Sequence, residues 1–348
     1  MDVSDFMKHI YPKFYDKFKC IANKCPDSCC KDWDVVVDED TDNFYGTVDG
    51  EFGKKIKNLT VTDNDGDRIF VSQNGKCPFW NKDMLCDIYI NLGEEHLCAT
   101  CQNFPRITQD YTIFTEHTLS FACPEASRLM LEEKNAYQAF ENSDFNFSQV
   151  DYNAELMSLL LKARTKTAEI LKDRTMPFAK RLKICLVLNN EVQNLIDDED
   201  FSYSNIVQNP IYSDSLNKAD CTFIFKLHKE LEIINKEWLN LLCSTANRCD
   251  EYIISTEYDT DFEKLGLYYI YRYYLNAIDS YDVLSTIKRL VCAYIVIGKC
   301  KQSGDISMSR LMQMYSKEVE HSYENTDILK FEFDTNVNFS VKNLMNIF

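Results

Sequence analysis

Nine cysteines crowd the stretch between residues 20 and 123. Cys20, Cys25, Cys29 and Cys30 follow a C-x4-C-x3-C-C pattern. Cys77, Cys86, Cys98 and Cys101 follow C-x8-C-x11-C-x2-C, and Cys123 stands further on as a weaker ninth candidate. Soft thiolate sulfur suits zinc and iron–sulfur centres. Close spacing lets a short loop deliver two ligands at little closure entropy. The pattern is not a zinc ribbon, which needs two C-x2-C pairs where this chain has one, Cys98–Cys101. Nor is it the ferredoxin run C-x2-C-x2-C-x3-C-P. Eight or nine thiols exceed the four that one site needs, so two sites, or one site with supporting thiols, both fit. Spacing alone leaves zinc, an iron–sulfur cluster and a reactive dithiol open.

The chain has 15 cysteines, an odd number, and it starts MDVSDFMKHIYPKF without the apolar core of an export signal. Reduced thiols in a cytoplasmic protein are therefore expected, not a disulfide framework. The other six, Cys185, Cys221, Cys243, Cys249, Cys292 and Cys300, are scattered through helical patterns and read as small buried hydrophobes. The 348 residues carry a net charge of −17, of which −11 falls in residues 1–148 and −6 in the rest. That acidity argues against nucleic acid, which requires a Lys/Arg surface. It accommodates a basic partner such as a lysine-bearing protein. No apolar run of about 18 residues is present, so no membrane partner is expected.

The elements that must position these thiols read as mainly α. We expect a cysteine-rich metal-binding part over 1–148 with a small β-hairpin, followed by an α-helical part over 149–348. Residues 1–19 predict a short helix, and DEDTDNFYGTV an N-capped one. The hairpin is read from Val61, the DNDGD turn and the alternating RIFVS. DNDGD is not a calcium loop, because setting Gly66 at position 6 puts Val61 at position 1. Apolar spacing predicts helices in AELMSLLLKARTKTAEILKD, FAKRLKICLVLNNEVQNLI, TFIFKLHKELEIINKEWLNLLCSTA, FEKLGLYYIYRYYLNAI and YDVLSTIKRLVCAYIVIGKC. Asp305 is the expected N-cap of the next helix, 195–220 a loop, and the final FEFDTNVNF extended.

Other residues offer chemistry with ordinary structural alternatives. Trp33 could cover a metal centre or anchor a core. Arg106 could clamp a carboxylate or form a salt bridge. Glu94, Glu95 and Tyr89 neighbour the cysteines in sequence, and His96 is a minor ligand candidate. The YYIYRYY run, Tyr268 to Tyr274, could line a lysine-accepting groove through cation–π contact or form a buried helix face. No GxG occurs, which argues against a Rossmann cofactor site. The C-x3-C-x2-C triad of radical chemistry is also missing.

The order of motifs carries a resemblance. C…C…CCxxW ending at Trp33, then CPFW…LCDIY…LGEEHLCATCQNFPR, then FACPEASRLML, resembles the flagellin lysine-N-methylase family, most strongly over 18–131. The first half is also similar to cysteine-rich zinc- or iron-chelating proteins with a CxxxCxxCC signature, and LGLYYIYRYYLNAI fits the methylase family more weakly. Trp80 stands where Leu is usual, and the Cys20–Cys25 gap is one residue longer than in some relatives. The resemblance implies methyl transfer from S-adenosylmethionine to lysine Nε atoms of flagellin or a similar surface protein. It also implies a [4Fe-4S] cluster bound by the cysteine motifs, with zinc as the alternative metal. It singles out no catalytic residue and no S-adenosylmethionine contact. A non-catalytic zinc- or iron-binding module and a thiol redox sensor are the competing readings.

Overall fold

The computed structural model describes residues 8–134, 137, 150–205 and 220–348. It is mainly helical with two small sheets. The chain enters as a strand, β1 (Lys8–Ile10), and a 3-10 turn at Tyr15–Lys17. The helix expected over 1–19 is thus absent from the described part of that stretch. Pro12 disfavours helical backbone at Tyr11, and the strand before it is taken up by a distant partner. The turn still buries Phe14 and Phe18.

Helix α1 (Glu39–Thr47) starts as read, with Asp38 Oδ1 accepting from the Thr41 amide at 3.0 Å. Helix α2 (Gly50–Leu59) leads into the expected hairpin, in which β2 (Thr60–Thr62) pairs antiparallel with β3 (Arg68–Phe70). Asp63 Oδ1 accepts from the amides of Asp65 and Asp67, and Gly66 takes φ +93° in the turn. Short helices α3 (Asp87–Leu92) and α4 (Ala99–Asn103) follow. A second hairpin, β4 (Arg106–Asp110) and β5 (Phe114–Leu119), then runs into α5 (Pro124–Glu132). This hairpin was not anticipated. Strand β5 is buried on both faces and so shows no alternation. It is the centre of a sheet ordered β1-β5-β4, with β1 parallel to it in the register Lys8↔Phe114.

The apolar side chains form two cores. Val35, Val37, Tyr45, Ile56, Phe70, Phe79, Ile88 and Cys98 make a small one. Phe14, Phe18, Phe114, Phe121 and Met130 join the helices in a large one. The 148/149 boundary expected from sequence lies outside the described residues.

The large core is built by α6 (Ala154–Lys172), α7 (Phe178–Asp197), α8 (Thr222–Glu230), α9 (Lys236–Ala246), α10 (Asp259–Tyr273), α11 (Ala277–Ser280), α12 (Leu284–Ser303), α13 (Met308–Tyr315), α14 (Tyr323–Thr335) and α15 (Val341–Met345). Helix α12 packs against α7, α9, α10 and α13, and it is central enough to read as apolar nearly all round. None of the described helices is long and apolar enough to cross a membrane.

Three helical expectations are corrected. The stretch 222–246 is two helices, broken where β-branched Ile233 and Ile234 precede Asn235, whose side chain caps α9. Ser307, not Asp305, caps α13. FEFDTNVNF is helical, not extended: Leu329 and Phe333, four apart, are buried while Phe331 is exposed. Of the loop read at 195–220, α7 takes the first residues and a 3-10 turn spans Tyr203–Asn205, while 206–219 lie outside the described residues.

Candidate functional site

All nine clustered cysteines are free thiols. Local structure turns several toward anion-stabilising backbone. Cys86, Cys98 and Cys123 each stand immediately before a helix, α3, α4 and α5, and each sulfur is met by backbone amides of that first turn. A helix N-terminus favours negative charge, so these positions suit thiolate. The two cysteine segments are brought together by the Cys77 amide donating to the Cys30 carbonyl at 2.7 Å and by a bridge between Lys31 and Lys76.

The thiols influence one another in two adjoining sets. Cys25 is affected by Cys20, Cys29 by Cys20 and Cys123, and Cys123 by Cys25 and Cys20. Cys77 is affected by Cys30, Cys86 and Cys98, and Cys101 by Cys98, Cys29 and Cys30. The adjacent Cys29 and Cys30 join the sets. Burial pushes the Cys77 and Cys123 thiols up to about 12. Within the pairs Cys29–Cys30 and Cys98–Cys101, hydrogen bonding lets one proton leave easily and holds the other, on Cys29 and Cys101, firmly. Nine thiols cannot all ionise here unaided, whereas a cation among them would stabilise the thiolates. The donor set therefore fits a thiophilic metal centre. Among the described residues no three of these sulfurs close to within 4.8 Å of one another.

The first cysteine segment is bolted to the helical body by one carboxylate. Asp27, between Cys25 and Cys29, is 3% exposed. It contacts Lys31 Nζ at 3.0 Å, Arg310 Nη1 at 2.8 Å, Gln313 Nε2 at 3.0 Å and Lys317 Nζ at 3.3 Å. Although burial opposes its charge, Lys317, Lys31 and Arg310 together hold its carboxyl down at about 2. Gln313 also donates to the Ala122 carbonyl, beside Cys123.

Lys317 belongs to a single π-helical turn, Ser316–Glu320, that continues α13. Such turns recur at functional sites. Its last residue, Glu320, has a side chain only 3% exposed. Glu320 Oε2 accepts from Tyr268 Oη at 2.7 Å, Tyr273 Oη at 3.0 Å and Ser316 Oγ at 2.9 Å, with Arg272 Nη1 at 4.0 Å. Among the described residues, Glu320 Oε1 has no hydrogen-bond partner. The neighbouring His321 meets Ser120 Oγ at 2.6 Å, and burial lowers its pKa to about 4, so it is neutral. Its ring lies 5.5 Å from that of Trp33, which donates to the Cys29 carbonyl and carries Lys317 over its face. Contacts thus run without a break from the thiols through Trp33 and His321 to Glu320.

Trp33 is thereby tied to the Cys29 backbone, with its ring against Phe104 and His321. The tyrosine run divides: Tyr268, Tyr269 and Tyr274 are fully buried, while Tyr271 stacks on Tyr137. Arg106 makes no ion pair among the described residues, against the salt-bridge reading, and lies over the Phe18 ring at 5.2 Å. His96 stacks on Phe44 with its centroid 4.1 Å away. Glu94, Glu95 and Tyr89 are exposed. Sequence reasoning missed Asp27 and Glu320. The available signal was a pair of acids, Glu318 and Glu320, continuing the apolar stripe of Leu311, Met312 and Tyr315.

Fold and site together define a mainly α-helical protein with a nest of thiols docked on its helical body. The model of the FliB lysine N-methylase C-terminal domain matches residues 164–347, more than half of the chain. The chain belongs to that family. It is 30% identical over 141 residues to the flagellar biosynthetic protein FliU of Salmonella muenchen, a match covering 39% of this chain and 83% of that relative. The lysine-N-methylases of Salmonella typhimurium and Salmonella choleraesuis are each 30% identical over 138 residues, 38% of this chain. The match spans 34% of the length of each of those two enzymes. No solved structure matches the chain.

Proposed function

We propose that this protein transfers methyl groups from S-adenosylmethionine to lysine side chains of flagellin or a similar lysine-bearing protein, with a [4Fe-4S] cluster held by the clustered cysteines. Family membership and the names of the relatives support the reaction class. The observation that carries the mechanism is the continuity between the thiol nest and a buried carboxylate with one free oxygen. Cys20, Cys25, Cys29, Cys30, Cys77, Cys86, Cys98 and Cys101 would supply the ligands, with Cys123 among the same thiols. A cluster bound there supplies redox-active, Lewis-acidic iron.

The protein's own residues have a separate task. A lysine amine, pKa about 10.4, must lose its proton before its lone pair can attack a sulfonium methyl. Among the described residues Glu320 Oε1 has no donor; it is buried, so the substrate amine must displace its cover to use it as a proton acceptor. The rings of Tyr268 and Tyr273 already hold the chain's own cations, Arg272 at 5.5 and 4.8 Å and Arg289 over Tyr273 at 5.5 Å, and so fix the surroundings of the carboxylate. Arg272 and the tyrosine hydroxyls hold the carboxylate in place through Oε2, which leaves Oε1 to the substrate.

The test is label transfer from methyl-labelled S-adenosylmethionine to flagellin by anaerobically purified protein. Lysine methylation is expected. Glu320→Gln should slow it by about 10²–10⁴-fold at neutral pH and also lower the melting midpoint, because Arg272 loses a buried anion. Raising the pH should restore much of the loss, because the lysine then sheds its proton without help, and a merely structural defect would not recover. No transfer by iron-replete protein would overturn the proposed activity. Full activity in Glu320→Gln would remove Glu320 from it.

A further inference from the structure

A second group of sulfur ligands sits in the helical half, apart from the nine. Cys221 immediately precedes α8, and Cys249 lies in the turn after α9, the helix on which α8 packs. Both are buried, at 2% and 1% exposure, while the adjacent Asp250 is exposed. Their two sulfurs and a carboxylate oxygen all lie within 4.8 Å of one another. Asp250 Oδ1 is 3.8 Å from Cys221 Sγ and 4.0 Å from Cys249 Sγ. A tetrahedral zinc, with Zn–S about 2.3 Å and Zn–O about 2.0 Å, has S···O edges of about 3.5 Å. The two S···O distances therefore need to close by only a few tenths of an ångström, and the sulfurs, within 4.8 Å, must approach an edge of about 3.8 Å.

The surroundings fit a bound cation with anionic ligands. Lys299 is engaged by the Tyr252 carbonyl at 2.5 Å. Asp220 acts on Cys249, but its oxygens are engaged by the amide and hydroxyl of Thr222 at 2.7 and 2.5 Å. Two sulfurs and one oxygen favour a thiophilic ion over the all-oxygen shells of calcium or magnesium.

We propose that Cys221, Cys249 and Asp250 form a binding site for a thiophilic divalent cation, zinc above all, separate from the nine-cysteine centre. The exposed carboxylate leaves the fourth position to water. The ion clips the start of α8 to the end of α9.

The experiment loads the anaerobically purified full chain with zinc, removes loosely held metal by gel filtration and measures zinc per chain. The Cys221→Ser/Cys249→Ser variant should carry about one zinc fewer than the native protein. Asp250→Asn, which spares the core, should hold that zinc at least about tenfold more weakly against a chromogenic chelator, with unchanged helical circular dichroism. Equal zinc content in the native and double-variant proteins would overturn the site. So would native affinity in Asp250→Asn, or a Cys221–Cys249 disulfide revealed by two missing free thiols.

Discussion

The two populations of cysteine in this chain differ in what surrounds them. Cys185, Cys292 and Cys300 sit singly in the helical core, fully buried, with burial raising each thiol. Of the nine N-terminal thiols Cys98 and Cys123 are also buried in a core, but each stands within reach of other thiols of the group. Most are raised or lowered by one another, several by backbone amides, and Cys20 and Cys29 are exposed. An isolated buried thiol is an inert apolar filler. A group of clustered thiols resists ionisation, because the thiolates would repel one another, until something positive sits among them. The same side chain thus serves packing in one region and charge compensation in the other.

The sharpest way to break this contrast is to remove one thiol from each population. Cys30→Ala, at the junction of the two sets, should strip most of the bound iron and its visible absorbance. Cys292→Ala should leave both intact and lower stability by about 1–2 kcal/mol through a small cavity. Iron analysis and denaturant unfolding of the two variants check this, and equal iron content would dissolve the distinction.

The next largest effect is expected at the bolt between the regions. Asp27→Ala leaves Lys317, 4% exposed, without its nearest buried anion. Stranding a buried charge costs about 3–5 kcal/mol, read as a lower urea midpoint. The N-terminal thiols should react faster with a maleimide in the same variant, while Cys185, Cys292 and Cys300 stay protected.

A smaller effect, shared by both regions, is set by pH. His321 at the seam and His228 in the helical core are both held near 4 by burial, below the ordinary histidine value of about 6.5. Unfolding lets each take up a proton, so stability is complete above about pH 6.5 and is lost as pH falls toward 4. The slope approaches about 1.4 kcal/mol per pH unit for each histidine. Replacing His321 with Gln should remove its share of that slope and leave that of His228, as measured by urea unfolding across the range.

What was legible in the sequence follows from how local each signal is. The Asp38 cap and the DNDGD turn depend on neighbours within a few residues, and they read correctly. The long helices read correctly because their apolar period repeats over several turns. Strand β1 did not, because its partner Phe114 lies far along the chain and three residues carry no period. Strand β5 hid its identity by being buried on both faces. Asp27 looked like one acid among many in an acidic segment, and only the folded chain brings Arg310, Gln313 and Lys317 to it. Glu320 was masked because a charged residue in a helical pattern ordinarily faces water. The motif resemblance is strongest over 18–131, whereas the family model falls on 164–347.

The bolt at Asp27 also fixes an order of assembly. Asp27 and Lys317 are 290 positions apart. A nascent chain grows from its N-terminus at about 5–20 residues per second. Cys20 to Cys30 therefore leave the ribosome well before the residues that dock them have been made. During that interval the first four thiols are accessible to whatever loads or oxidises them. Docking of the loop comes late, as the closing step of a structure whose most reactive groups were synthesised first.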